Sequence, residues 1–158
     1  MKTSLKIGMN FGITSGVITT LWLLVGLAAG SETKSIVIAG ILTIAIADSF
    51  SDALGIHISQ ESDKKNSHKE VRESTIATFL TKFLFASTFI IPVLLLPLKW
   101  SVLVSALWGL SLIIYVSYKI AISHKENPWH SIKEHVFITI IVIFLTYLTG
   151  ISINKFLH

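Results

Sequence analysis

Two aspartates, Asp48 and Asp52, lie inside an apolar stretch, residues 36–58, that is long enough to cross a membrane. An ionised carboxylate at the depth of the bilayer core costs from about 3 kcal/mol to well over 10 kcal/mol, so such residues are rare and usually mark an ion or proton path. On a helix, a spacing of four residues places both carboxylates on one face, about 6 Å apart. The pair is therefore the first candidate for binding a cation or a proton.

The ligand atoms near this pair restrict the kind of cation. The chain contains no cysteine, and its only methionines are Met1 and Met9, so sulfur ligands are missing near the pair. Carboxylate and hydroxyl oxygens favour hard or borderline divalent ions such as Mn²⁺, Fe²⁺, Mg²⁺ or Ca²⁺. One helix offers too few ligands for a six-coordinate ion, so a second helix, water or a second subunit has to contribute.

Lys82 offers a purely structural explanation for part of this pattern. It lies about two turns into the third apolar segment, at a depth similar to that of Asp52. An ion pair between Lys82 and Asp52 would neutralise one carboxylate without any role in transport. One basic residue leaves the other carboxylate to be protonated, hydrated or metal-bound, so the two interpretations can also hold together.

Other polar residues are weaker candidates. The hydroxyls of Ser15 and Thr19 would complete a ligand shell if they face the aspartates, although such hydroxyls usually bond back to the helix backbone. His57 and Glu61, near the water boundary, are candidates for a proton or metal relay at the inner mouth. The chain has no H-E-x-x-H, no phosphate-binding glycine loop and no G-x-S-x-G, which argues against an enzyme.

The composition predicts how these residues are positioned. Of the 158 residues, 52% are hydrophobic and only 14% are charged, against about 25% charged in soluble domains. Five segments have the length of about 20 residues that a membrane span needs: 7–29, 36–58, 76–96, 102–121 and 136–153. The sequence therefore predicts an all-α integral membrane protein, multi-pass, with a single transmembrane domain over 1–158. The host would be the cell membrane of a prokaryote or a vacuole-like membrane of a eukaryote.

The N-terminal stretch also resembles a signal peptide, because Lys2 and Lys6 precede an apolar run. The segment 7–29 is long for that purpose and carries many glycine and hydroxyl residues, which is typical of a packed membrane helix.

The basic residues predict the orientation and give no signal for nucleic acid. Nine lie on one side of the predicted spans: Lys2, Lys6, Lys64, Lys65, Lys69, Arg72, Lys119, Lys125 and Lys133. Only Lys34, Lys99 and Lys155 lie on the other. The positive-inside rule places the N-terminus and the polar loop 123–134 in the cytoplasm, and five spans then place the C-terminus outside or in a lumen. The cytoplasmic linker 60–74 is interpreted either as a solvated turn between two helix ends or as a cation-attracting vestibule.

A glycine repeat marks the first segment as a close-packing helix. Gly8, Gly12 and Gly16 recur every four residues, and Gly26 and Gly30 repeat the spacing further on. Such a stripe lets another backbone approach closely. Packing within one molecule and pairing between two copies both fit this pattern.

The chain resembles the vacuolar iron transporter family, whose members are five-span divalent-cation/proton antiporters that work as homodimers. Residues 15–26, SGVITTLWLLVG, resemble the first-helix pattern D-G-x-x-T-T-x-x-x-x-x-G, and residues 51–59, SDALGIHIS, resemble the second-helix pattern S-M-A-x-G-E-Y-x-S. Pro92, Pro97 and Gly150 also fit.

The departures from the family fall at its functional positions. Ser15 stands where the family has aspartate, Asp52 where it has methionine and Ile56 where it has glutamate, while Asp48 has no acidic counterpart. The family's long cytoplasmic metal-binding insertion is reduced to the linker 60–74.

The resemblance implies a homodimer that carries Mn²⁺ or Fe²⁺ out of the cytoplasm in exchange for protons. Asp48, Asp52, Ser15 and Thr19 would bind the transported ion, and no further cofactor is implied. The partners would be a second copy, metal ions and the lipid membrane. Two alternatives remain: a membrane scaffold or interaction subunit with a structural Asp–Lys pair, and a pathway for protons or monovalent cations.

Overall fold

The structure, a computed structural model, describes residues 2–157, and within that range it consists of helices and short connections without any strand. The helices are α1 (Thr3–Ser31), α2 (Lys34–Ser62), α3 (His68–Thr88), α4 (Ile90–Leu95), α5 (Leu98–His124) and α6 (Pro128–Leu157). Met1 and His158, the two ends of the predicted domain 1–158, lie outside the described residues.

The five predicted spans are confirmed as helices long and apolar enough to cross a membrane, with α3 and α4 together forming the third. The interruption between α3 and α4 at Phe89 follows from Pro92. Proline lacks an N–H and its ring clashes with the carbonyl four residues earlier, here Thr88, which is where α3 ends.

The helices extend beyond the predicted spans into the polar segments. The linker predicted over 60–74 is helical at both ends, and only residues 63–67 lie between α2 and α3. The loop predicted over 123–134 is reduced to 125–127, because α6 begins at Pro128, a residue suited to the first position of a helix. Hydropathy marks where the apolar part of a helix ends, and these helices continue past that point with polar residues.

The short turn before α3 is fixed by a capping box. The Ser67 hydroxyl accepts a hydrogen bond from the Glu70 backbone N–H, and the Glu70 carboxylate accepts one from the Ser67 backbone N–H at 2.9 Å. The bonds that Ser67 donates lower the pKa of Glu70 from its usual value. The solvated-turn interpretation of the linker therefore describes residues 63–67.

Helix α1 lies at the centre of the bundle and contacts α2, α3, α5 and α6. Its Val17, Leu21 and Leu24 are fully buried and join the apolar core with Ile41 of α2 and Phe89. Outer faces of the bundle are apolar and exposed, and only 11% of the apolar window of α6 is buried inside the protein. Such surfaces suit contact with lipid or with another membrane protein.

The glycines of α1 are used within one molecule. A Cβ at Gly8 would lie 2.8 Å from the Ala77 Cβ, and one at Gly12 would lie 2.6 Å from the Thr78 carbonyl oxygen. Both neighbours belong to α3, so only glycine allows the two helices to approach this closely. Between the two interpretations of the stripe, the structure assigns Gly8, Gly12 and Gly16 to packing inside the protomer.

The second pair of α1 glycines packs against α6. A Cβ at Gly30 would lie 3.3 Å from the Gly150 carbonyl oxygen, and one at Gly150 would lie 2.8 Å from the Ala29 Cβ. The two glycine sets of α1 thus face two different partner helices.

Candidate functional site

The site forms where α1, α2 and α3 meet. Helix α2 supplies Asp48 and Asp52 on one face, and α1 supplies Ser15. Helix α3 supplies Lys82, whose stem passes along α1 at Gly16, where an added Cβ would lie 3.2 Å from the Lys82 Cγ. The close approach of α1 and α3 therefore carries the lysine to the two carboxylates.

The ammonium group of Lys82 lies between both aspartates. Its Nζ is 2.5 Å from Asp48 Oδ2, in an ion pair without the alignment of a hydrogen bond. The same nitrogen donates a hydrogen bond to Asp52 Oδ2 and another, 2.8 Å long, to Ser15 Oγ. Ser15 Oγ in turn donates to Asp52 Oδ2 at 2.5 Å. Three oxygen atoms from two helices thus surround one positive charge.

The sequence predicted this ion pair for Asp52 but left Asp48 without a partner, and the structure corrects the second point. Asp48 and Asp52 are one helical turn apart, so a single Nζ fits between their carboxylates. Lys82 still provides only one positive charge for two carboxylates. The cluster therefore keeps a formal charge of −1 when all three groups are ionised.

The three charged side chains differ in exposure. The Lys82 side chain is 1% exposed, whereas those of Asp48 and Asp52 are 29% and 20% exposed. Lysine thus approaches the carboxylates from inside the bundle, and the opposite side of the carboxylates is open. A charge buried this deeply is tolerated only when it is paired and hydrogen-bonded, as Lys82 is.

An open groove lies beside Asp48. Its volume is about 630 Å³, and its lining includes Thr19, Thr43, Ala47, Asp48 and Ser51. Thr19, a predicted ligand, is therefore in the same groove as Asp48, but its hydroxyl donates to the Ser15 carbonyl oxygen at 2.8 Å. Its oxygen can still accept a hydrogen bond or face a cation, because a hydroxyl has two lone pairs.

The protein alone offers few metal ligands at this point. Among the residues that the structure describes, no group of three or more His, Cys, Asp and Glu side chains comes together. A metal ion held by Asp48 and Asp52 would need Ser15, Thr19, water or a second copy for the remaining positions.

The predicted relay residues form a separate group at the end of α2. His57 Nδ1 lies 3.1 Å from Thr75 Oγ1, and His57 Nε2 lies 4.0 Å from Glu61 Oε2. Five residues separate His57 from Asp52, which is about 7.5 Å along a helix axis. The structure brings His57 and Glu61 together but does not join them to the aspartates, so a relay between the two groups would need water.

A second polar link, between the start of α1 and α3, was not anticipated from the sequence. Glu73 accepts hydrogen bonds from Lys2 Nζ at 2.8 Å and from Ser4 Oγ at 2.9 Å. These bonds lower the pKa of Glu73, and the bond from Lys2 has the largest effect. Glu73 is 71 positions from Lys2 and 69 from Ser4 in the sequence, and only the packing of α1 on α3 makes them neighbours.

Some buried hydroxyls of the interior lack a hydrogen-bond partner in the described part of the chain, and of these Ser49 was not singled out from the sequence. Thr20 and Ser49 are 0% exposed, and their oxygens have no hydrogen-bond partner among residues 2–157. Ser49 follows Asp48 directly. A buried polar group without a partner costs about 1–3 kcal/mol, so these positions are unusual in a packed interior.

The five long apolar helices indicate a multi-pass membrane protein, and its Asp–Asp–Lys cluster lies where α1, α2 and α3 meet. Comparison of the chain with protein-family models, with curated proteins and with solved structures gives no match. The likeness to the vacuolar iron transporters therefore rests on the sequence patterns alone.

Proposed function

We propose that the protein transports a divalent cation, Mn²⁺ or Fe²⁺, across the membrane, with Asp48 and Asp52 as its binding carboxylates. The observation that carries the proposal is the position of the Lys82 ammonium. Oxygen atoms of Asp48, Asp52 and Ser15 already surround a positive charge at that point. Asp48 lines the open groove, and the side chains of both aspartates are partly exposed, which supports access of an ion to these carboxylates.

The ligand set supports a hard or borderline ion. The nearby atoms that could coordinate a metal ion are oxygens, from the two aspartates, Ser15 and Thr19, and no sulfur is available. Two carboxylates and two hydroxyls leave coordination positions open for a six-coordinate ion. A homodimer, in which a second copy or water fills these positions, is part of the proposal.

The direction and the coupling come from the family resemblance. Export from the cytoplasm in exchange for protons would use the same carboxylates, which can each take up a proton once the metal has left. The excess of Lys and Arg on one side of the spans supports an N-terminus in the cytoplasm.

A structural role for the cluster is the second candidate. It is favoured by the burial of Lys82 and by its contacts with three oxygen acceptors. In that case, the cluster would only join α1, α2 and α3, and the protein would be a membrane scaffold or an interaction subunit.

Reconstitution into liposomes separates the candidates. The purified protein is placed in vesicles loaded with a Mn²⁺-sensitive dye, and the initial rate of Mn²⁺ entry is measured at a series of external MnCl₂ concentrations. We expect saturable entry that is lost in Asp48→Asn and in Asp52→Asn. Asp63→Asn, in the short turn after α2, is the matched control and should retain the wild-type rate.

Two results would reject the proposal. Unchanged flux in both aspartate variants would exclude them as the binding carboxylates. Movement of protons or Na⁺ without any dependence on a divalent ion would favour the monovalent pathway instead.

A further inference from the structure

The position of Lys82 has a further meaning if the protein transports a divalent ion, and this inference rests on that proposed function. The ammonium nitrogen touches one oxygen of Asp48 and one of Asp52, and it also bonds the Ser15 hydroxyl. A metal ion bound by the same three oxygens would need the position that Lys82 Nζ occupies. Lysine and metal ion are therefore competitors for one position.

The charge of the cluster disfavours a state in which the Lys82 ammonium and a divalent ion are bound at the same time. With Lys82 in place the formal charge is −1, and with Lys82 withdrawn it is −2. A divalent ion added beside an undisplaced ammonium would leave a net charge of +1, with two positive centres a few ångströms apart inside the membrane. Repulsion at such distances is strong where the dielectric constant is low.

The geometry provides a route for the exchange. Lys82 contacts the carboxylates from the buried side, with 1% of its side chain exposed, while Asp48 is 29% exposed and lines the open groove. A cation from the groove thus meets Asp48 without first passing the lysine. For this exchange the Lys82 ammonium has to leave the carboxylates as the ion enters, and its four-carbon stem is flexible.

We propose that Lys82 is a tethered competing cation that keeps weakly bound monovalent ions off Asp48 and Asp52 and is displaced by a divalent ion. A monovalent ion that replaces the ammonium exchanges one positive charge for another and gains no charge attraction. It also competes with a group held at a high effective concentration by its tether. A divalent ion brings a second positive charge to the two carboxylates, and this compensates for the loss of the lysine contacts.

The test measures binding rather than transport. The unfolding temperature of the purified protein in detergent is followed against MnCl₂ and, separately, against NaCl, with choline chloride keeping the ionic strength constant. A ligand that binds the folded state raises this temperature, by an amount that grows with the logarithm of one plus the ratio of ligand concentration to Kd. Asp48→Asn shows whether the shift arises at this site, because it should abolish the Mn²⁺ effect.

The informative variant is Lys82→Met, which keeps most of the length of the side chain and loses the charge. We expect the apparent affinity of this variant for Mn²⁺ and for Na⁺ to rise by about tenfold or more, since close buried charge pairs couple at least this strongly. The factor should be the same for Na⁺ and Mn²⁺, because a group that excludes either ion weakens the binding of both equally. A Lys82→Met protein that binds Mn²⁺ no more tightly, or that gains affinity for Mn²⁺ without any gain for Na⁺, would overturn the inference.

Lys82→Arg keeps the inference testable if the methionine variant does not fold. The guanidinium retains the charge and holds carboxylates through several fixed donors. We expect weaker Mn²⁺ binding than in the wild type, and unchanged or tighter binding would count against competition. If the wild-type protein shows no Mn²⁺ flux, the transport function itself is rejected. If the wild type transports Mn²⁺ but Lys82→Met weakens Mn²⁺ binding or Lys82→Arg tightens it, only the role of Lys82 is rejected.

Discussion

Gly16 of α1 lies directly against the backbone of Lys82 in α3. A Cβ at Gly16 would be 2.9 Å from the Lys82 carbonyl oxygen, closer than side chains normally come. The residue that brings a positive charge to Asp48 and Asp52 is thus held in place by a residue without a side chain. This contact joins the glycine stripe of α1 to the charged cluster.

Gly16→Ala should destabilise the protein by about 1–3 kcal/mol, because the extra methyl must push α1 away from α3. The effect is measured as the free energy of unfolding in mixed detergent micelles. Gly55→Ala is the matched control, since nothing lies within 4 Å of a Cβ at Gly55. That variant should be as stable as the wild type or slightly more stable, through the better helix propensity of alanine. Equal stability of the two variants would show that the close approach at Gly16 is not needed.

Lys82→Met should lower the stability by about 3–5 kcal/mol in the absence of added metal, because it leaves two carboxylates without their partner. The additional change Asp52→Asn should recover part of this loss, and a double-mutant cycle on unfolding free energies measures the coupling. Under the transport proposal, the double variant recovers stability and not Mn²⁺ flux. Recovery of full flux together with stability would favour the structural interpretation.

The link between Lys2, Ser4 and Glu73 predicts a dependence of stability on acid pH. The hydrogen bonds hold the pKa of Glu73 below its unfolded value of 4.5, so its contribution is fully present above that value and is lost as the pH falls through the folded pKa. Glu73→Gln should therefore flatten the fall of the unfolding temperature below about pH 4.5. The fall should not vanish, because Glu70 also has a lowered pKa.

A suitable control for this experiment is Glu126→Gln. Glu126 lies in the turn between α5 and α6, and its side chain makes no hydrogen bond within the described part of the chain. It should show the same acid dependence as the wild type. If the pH profile of Glu73→Gln coincides with that of Glu126→Gln, the link between Lys2, Ser4 and Glu73 does not contribute to the acid dependence of stability.

The absence of cysteine allows a direct test of orientation. Lys64→Cys places a single thiol in the turn between α2 and α3, and Thr33→Cys places one in the turn between α1 and α2. With the N-terminus in the cytoplasm, a membrane-impermeant maleimide added to intact cells should label Cys at 33 and leave Cys at 64 unlabelled. The reversed pattern would invert the topology, and labelling after permeabilisation shows that both thiols are reactive.

The sequence predicts the number of spans well, because hydropathy alone identifies the segments that are apolar and long enough to cross a membrane. It places the helix ends less well, since α2 and α6 continue through polar residues where hydropathy gives no signal. The break at Phe89 could have been predicted, because Pro92 disfavours a continuous helix.

The site could be predicted only in part. Equal depth in the membrane was enough to pair Lys82 with Asp52, but not to place its nitrogen between two carboxylates, which depends on how closely α3 approaches α2. The partner of the glycine stripe was also open, since a small-residue face packs equally well on its own chain or on another. Asp48, Asp52 and Ser15 were all identified as candidates from residue type and spacing.

The central position of α1 has a consequence for biosynthesis. Helix α1 leaves the ribosome before the helices that cover its two glycine surfaces, Gly12 by α3 and Gly30 by α6. Until residues 128–157 have been synthesised, Gly26 and Gly30 lack the helix that covers them. The interior of this bundle is therefore completed only when α6 enters the membrane.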